Sequence, residues 1–309
     1  MSSHSPISPP RLQAGARVAL IAPAGPITHA DDLTRAVANA RTLGWDPVLS
    51  PHVGGCHGYL SGTDAERAAD LNDAIRDDSI DAIWCVRGGY GVMRILHQVD
   101  YDSLRSRPKA LIGYSDITAL HLAVAARCGI RSFHGPTARG FLSDFSRASL
   151  DSAVNAGREN SNPCGTALDA LTLNDGRATG TLIGGNLALL CALIGTPFAA
   201  RLDGAILVLE DVNEPAYRID RLFWQLLLSG SLSRVSGIIF GAFTERGESD
   251  DSAQLDSLLR EIADTTGVPC IANAPVGHIA NQWTFPIGAT AELDASAKTL
   301  SILENGRFT

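Results

Sequence analysis

The chain reads as an α/β protein whose first half forms a parallel sheet covered by helices on both faces. Three observations predict this. Short apolar runs at 17–22, 80–86 and 109–112 are bounded by turns, as fully buried parallel strands are. Helical segments fall between them in a βαβα rhythm. A composition of 45% apolar and 19% charged residues over 309 positions supplies a real core and enough chain for two domains.

The elements follow in order. Arg17-Val18-Ala19-Leu20-Ile21-Ala22 is a buried strand stopped by Pro23. Residues 31–43 are helical, and Asp46-Pro47-Val48-Leu49 is a short strand. A helix runs over 63–77, with Thr63 or Asp64 as cap and Glu66 in the first turn. The third strand is 80–86 and the fourth is Lys109-Ala110-Leu111-Ile112. A helix begins at Ile117, and Gly129 opens a fifth strand. Residues 141–178 break the rhythm with dense Ser, Asn, Asp and Gly, and read as the crossing between a domain at 1–140 and another at 179–309. Strands are predicted at 205–209, 235–240, 269–271, 289–293 and 299–303, with helices at 219–228 and 253–264.

Residues 178–200 carry no charge, long enough to suggest a membrane span. Gly180, Gly184, Gly185, Asn186 and Pro197 interrupt the run, so it reads as a strand at 180–183 and a buried helix at 187–194. The net charge is −8, and no basic run is present, which argues against a nucleic-acid partner. The polar start lacks the basic and apolar regions of a secretory signal. Six scattered cysteines form no C-x-x-C pair, as expected of free thiols in a reducing cytoplasm.

Chemistry is expected where strands end. Gly113-Tyr114-Ser115-Asp116-Ile117-Thr118 joins the fourth strand to a helix. A serine there has its hydroxyl at the carboxyl end of the sheet, beside a helix N-terminus. Ser and Asp in this place also serve as plain caps, and Ile117 departs from the G-x-S-x-G elbow. Arg87-Gly88-Gly89-Tyr90-Gly91 follows the third strand with its amides uncovered. It fits neither a dinucleotide fingerprint nor a P-loop. It suits either a tight turn or a second oxyanion donor.

In the second half, Leu209-Glu210-Asp211-Val212-Asn213-Glu214 ends a strand with acid. These carboxylates suit a metal, a cap, or the orienting of a histidine. Pro275-Val276-Gly277-His278 places one of eight histidines in a loop beyond a strand, and His134 before Gly135-Pro136 competes as a base. Ser115, Glu210 and His278 can form a triad for acyl transfer. His278 would take the Ser115 proton, Glu210 would hold the imidazole tautomer, and the amides of Gly89 and Asp116 would stabilise the oxyanion.

At these residues the chain resembles the LD-carboxypeptidase (muramoyltetrapeptide carboxypeptidase) family of serine peptidases. The resemblance runs almost end to end. It includes Ile21-Ala22-Pro23-Ala24-Gly25, Tyr59-Leu60-Ser61-Gly62-Thr63-Asp64 with Arg67, the glycine loop, the Ser115 turn, His134-Gly135-Pro136 and Gly184-Gly185-Asn186. It closes with Glu210-Asp211, Tyr217-Arg218-Ile219-Asp220-Arg221 and Pro275-Val276-Gly277-His278.

The resemblance implies a Ser115–Glu210–His278 triad, no metal and no cofactor. It implies a flavodoxin- or amidotransferase-like N-terminal domain, a smaller C-terminal α/β domain and an active site in the cleft between them. It further implies a cytoplasmic homodimer that removes the terminal D-alanine from murein tetrapeptides in cell-wall recycling. Arg87, Tyr90, Asn186 and Arg218 are the expected substrate contacts. A branch that hydrolyses microcin C-type peptide–nucleotides carries a longer, aromatic stretch between serine and glutamate. Here Glu210 lies 95 positions after Ser115 with no Trp between them, which favours the murein branch. A non-catalytic peptide-binding protein on the same scaffold is the alternative from another class.

Overall fold

The computed structural model describes residues 6–155, 162, 164–244 and 252–303. Part of the expected crossing, at 156–161 and 163, lies outside them. The elements of the first half are β1 (Arg17–Ile21), α1 (Asp31–Thr42), β2 (Asp46–Leu49), α2 (Asp64–Arg76), β3 (Ala82–Cys85), α3 (Val92–Ile95), α4 (Tyr101–Ser106), β4 (Ala110–Gly113), α5 (Thr118–Cys128) and β5 (Ser132–His134). Then come α6 (Asp144–Val154), β6 (Gly165–Thr166), β7 (Leu171–Asn174), β8 (Arg177–Asn186), α7 (Leu187–Ala192), β9 (Ala205–Val212), α8 (Ala216–Leu228) and β10 (Gly237–Thr244). The chain closes with α9 (Ser252–Thr266), β11 (Cys270–Ala272), β12 (Phe285–Ile287), β13 (Thr290–Asp294) and β14 (Thr299–Ile302).

The first sheet has the order β12-β5-β4-β3-β1-β2. Its five N-terminal strands pair in parallel, as the rhythm predicts. Alternate residues face opposite ways along each strand. Val18, Leu20, Trp84 and Ile112 pack with Ala36 and Ala40 of α1 and Leu150 of α6. Ala19, Ile21, Ile83 and Leu111 join a second core that continues into Leu207 and Ile239 of the other sheet. Helix α2 begins as predicted, because Thr63 and Glu66 form a reciprocal capping box.

The second sheet is eight-stranded, in the order β6-β14-β13-β8-β9-β10-β11-β7. Strands β8 to β11 are parallel neighbours, with antiparallel strands on both sides. Seven consecutive residues of β9 are buried, which is why its sequence shows no alternation. The uncharged 178–200 region splits into β8 and α7, and no described helix is long and apolar enough to cross a membrane.

Two features escaped the sequence reading. The stretch read as a crossing contains α6 and the strands β6 and β7. The three-residue β12 leaves the C-terminal half and adds antiparallel to β5, in the sheet that carries Ser115. The strands β6 and β12 have no local signature, since a strand this short is defined by its partner and not by its own pattern.

The β8–β9 pair leaves no room for side chains at its end. Gly184 has φ +141°, and a Cβ there would lie 1.8 Å from the Val208 carbonyl oxygen. The two residues are register partners, so neither backbone can withdraw without breaking the ladder. Gly184→Ala should lower stability by more than about 3 kcal/mol in thermal or urea unfolding. An unchanged Tm would mean that the β8–β9 register is not held as described.

Candidate active site

Ser115 ends the turn after β4 with φ +64°, in the left-handed region that non-glycine residues avoid. A residue is held there only when its surroundings over-determine it. The sharp strand-to-helix turn is therefore present although Ile117 replaces the second elbow glycine. Tight packing explains the first one: a Cβ on Gly113 would sit 3.0 Å from Ile117 Cγ2 and 3.2 Å from Cys85 Cβ. His121 fixes the same turn from behind. It is fully buried, and desolvation pushes its pKa down to about 4, so the ring is neutral. Its Nε2–H donates to the Gly113 carbonyl at 2.9 Å, which leaves Nδ1 to accept from the Ser132 hydroxyl at 2.8 Å.

The glycine loop after β3 meets the serine directly. A Cβ on Gly88 would lie 2.8 Å from Ser115 Cβ and 3.1 Å from its Oγ. Gly89 and Gly91 have φ of +112° and +129°, conformations that suit glycine. Arg67, fully buried on α2, holds the loop by donating to the carbonyls of Gly91 and Pro23, and it pairs with Asp64. Asp116 ties the serine turn to the loop by accepting from the Val92 amide at 2.8 Å.

From the second half, β9 delivers Glu210, which has no exposed surface. Its Oε2 accepts from His278 Nδ1 at 2.8 Å. Gly277 permits the approach: it has φ +115°, and a Cβ there would stand 2.9 Å from Glu210 Cβ. The Tyr114 ring lies 4.8 Å from the His278 ring, centroid to centroid, so His278 sits beside the residue that precedes Ser115. With Nδ1 committed to Glu210, Nε2 is the nitrogen left to act as a base. The Ser115 hydroxyl and His278 make no hydrogen bond to each other, and such contacts often tighten only when substrate is bound.

His134, the competing base, is fully buried, with its ring stacked 4.7 Å from Phe285. Desolvation drives its pKa well below the ordinary value, so it stays neutral. The carboxylate partner goes to His278 instead.

The acids weighed as metal ligands are engaged elsewhere. Asp211 accepts from Asn186 Nδ2 at 2.8 Å and from the amides of Ala188 and Val212. Glu214 pairs with Arg218 at 2.7 Å. Asn186, expected at the substrate, is buried as a strut: it caps α7 through Oδ1, and its backbone N–H donates to Thr118 Oγ1 at 3.0 Å. Arg87 donates to the Pro26 carbonyl, and Tyr90 is exposed with its ring 5.5 Å from that of Tyr59. Thr118, Tyr114 and Arg67 were not singled out from the residues themselves, because their roles depend on partners distant in the chain.

Burial raises the Asp116 pKa from 3.8 to about 6. Between those values the folded chain keeps a proton that the unfolded chain has released, so this group makes stability fall as pH rises through the window. Asp116→Asn keeps an acceptor for Val92. It should gain on the order of 3 kcal/mol relative to wild type between pH 4 and pH 8 in urea unfolding. A difference independent of pH would show that Asp116 does not titrate in this way.

The comparisons with known proteins identify the family. The family model for the LD-carboxypeptidase N-terminal domain matches residues 18–135, and that for the C-terminal domain matches 179–293. The murein tetrapeptide carboxypeptidase of Pseudomonas aeruginosa is 38% identical, covering 91% of this chain and 94% of its own length. Among solved structures, MccF in complex with glutamyl sulfamoyl guanosine aligns with a TM-score of 0.89 at 25% identity, over 97% of this chain and 99% of that one. The muramoyltetrapeptide carboxypeptidase of Oxalobacter formigenes aligns with a TM-score of 0.78 at 29% identity, over 93% and 98%. With an elbow serine beside a glycine loop, a glutamate-bound histidine and family matches in both halves, the chain belongs to the LD-carboxypeptidase family of serine peptidases.

Proposed function

We propose that this protein is a serine LD-carboxypeptidase that removes the terminal D-alanine from murein tetrapeptides, in a cytoplasmic step of cell-wall recycling. The observation that carries the reading is the Glu210–His278 hydrogen bond, set beside a serine held in the left-handed region.

In this reading His278 Nε2 takes the Ser115 proton as Oγ attacks the carbonyl between the L-diamino acid and D-alanine. The amides of Gly89 and Asp116 receive the oxyanion. His278 then protonates the leaving amine, and D-alanine departs. Water, activated by the same imidazole, resolves the acyl-enzyme. Buried Glu210 keeps the proton on Nδ1 and stabilises the imidazolium that forms. The exposed Tyr90, in the loop that touches Ser115, is the proposed contact for the peptide.

The structural likeness to MccF supports a second reading, hydrolysis of peptide–nucleotides. The Trp-free interval of 95 positions from Ser115 to Glu210 favours the murein peptide. Six free cysteines, five of them buried, fit a reducing compartment. A homodimer belongs to the same proposal. Tyr217, Trp224 and Leu228 stand exposed on α8 at helical spacing, an apolar strip that a second copy would cover. Light scattering tests that part.

Incubation with L-Ala-γ-D-Glu-meso-diaminopimelate-D-Ala, followed by mass spectrometry, should show loss of one D-alanine. Ser115→Ala should abolish the release. Glu210→Gln should lower kcat by about a thousandfold or more, because the tautomer is no longer enforced. No release by folded wild-type protein would overturn the murein assignment and direct the assay to peptide–nucleotides.

A further inference from the structure

The chain around His278 is tied down twice, and the second tie has no part in the chemistry. Before the histidine, Gly277 packs on Glu210 in the second half. After it, the chain runs along α6 and enters β12, in the sheet of Ser115. Three serines of the α6 segment face this stretch at three-residue spacing, which places them on one side of the helix. Ser143 is the N-cap and accepts from the Ser146 amide. Ser146 Oγ donates to the Ala280 carbonyl at 2.9 Å and accepts from the Gln282 amide at 2.9 Å. Ser149 Oγ accepts from the Thr284 amide at 2.7 Å. The next residue, Phe285, pairs with His134 and stacks on it.

We infer that Ser146 and Ser149 are positioning residues for the catalytic histidine. They replace the missing strand partner of the 280–284 segment with side-chain hydroxyls, and so hold the imidazole at a fixed distance from the sheet that carries Ser115. Between Gly277 and β12 the other anchor is Trp283, which is buried and whose amide donates to the Pro275 carbonyl at 2.6 Å, so Ser146 and Ser149 hold the backbone on either side of it, at residues 280, 282 and 284. The backbone groups they satisfy are mostly shielded from water: Gln282 and Thr284 are buried, as are both serines. Leaving such groups unpaired is costly, so the segment would shift to find other partners. An imidazole displaced by a fraction of an ångström loses its line to the nucleophile while the substrate contacts stay in place. The rate falls and the affinity does not. The inference rests on the Ser115–Glu210–His278 reading of the site.

The test compares wild type with Ser146→Ala, Ser149→Ala and Ser149→Thr. Ser149→Thr keeps the acceptor oxygen and serves as the rescue. Two readouts are taken on the whole protein: kcat and KM for the tetrapeptide, and the downfield Nδ1 proton resonance of His278 in the folded, unliganded chain. Either alanine variant should lower kcat by about tenfold to a hundredfold with KM within twofold of wild type. The His278 resonance should broaden or shift, and Ser149→Thr should recover both. Wild-type kcat and an unchanged resonance in a folded alanine variant would overturn the inference. So would a fall in activity that follows only the loss of folded protein. If wild type proved inactive on the tetrapeptide, the substrate assignment would fall and the resonance alone would decide the positioning role.

Discussion

Glu210 presents a carboxylate with no exposed surface to one partner, the Nδ1–H of His278 at 2.8 Å. A carboxylate removed from water is unfavourable unless donors surround it, and half of this one, Oε1, has none among the described residues. The hydrogen bond to His278 is therefore a requirement of the fold, and in the proposed mechanism it is one of the chemistry too. Other features follow from it. The histidine loop must approach β9 closely, which needs Gly277 at φ +115°. The β8–β9 ladder must run to its end, since Asn186 is the register partner of Glu210.

The two halves are joined around this bond by polar struts. Thr118, on the helix that follows Ser115, accepts from the Asn186 amide. Asn186 in turn donates to Asp211, the neighbour of Glu210. Burial raises the Asp211 pKa to about 6, and four hydrogen-bonding groups around Asn186 and Asp211 are satisfied without solvent. Gly185 lets the chains meet, because a Cβ there would lie 2.5 Å from Thr118 Oγ1. Serine and glutamate are thus placed by a direct chain of contacts, and β12 places the histidine from the other side. The Glu210–His278 pair is formed without substrate, while the Ser115 hydroxyl is not hydrogen-bonded to His278.

Two buried histidines pack around the site as neutral rings. His121, neutral at ordinary pH, fixes the carbonyl that precedes the serine turn. His134 fills the space between Tyr114 and Phe285 as a neutral ring. These residue types attract a catalytic reading in a sequence, yet their environment suppresses their charge. His134 is fully buried against Phe285, whereas His278 is partly exposed and meets the carboxylate of Glu210.

The sequence by itself determined the parallel sheet, the strand-end turns and the residues that could react. Buried strands, capped helices and glycine turns are written in local pattern, and so was Ser115 at an elbow that lacks one glycine. It left His134 and His278 as competing bases, and it left Glu210, Asp211 and Glu214 open between a metal and a triad. The tertiary structure showed which histidine meets which carboxylate, because a hydrogen-bond partner is a matter of distance between residues far apart in the chain. It also decided what the segment 141–178 contains. Helix α6 carries Ser146 and Ser149, and nothing local tells a surface helix from a support. Their role depends on hydroxyls meeting backbone groups more than 130 positions later, and only the folded chain brings those together.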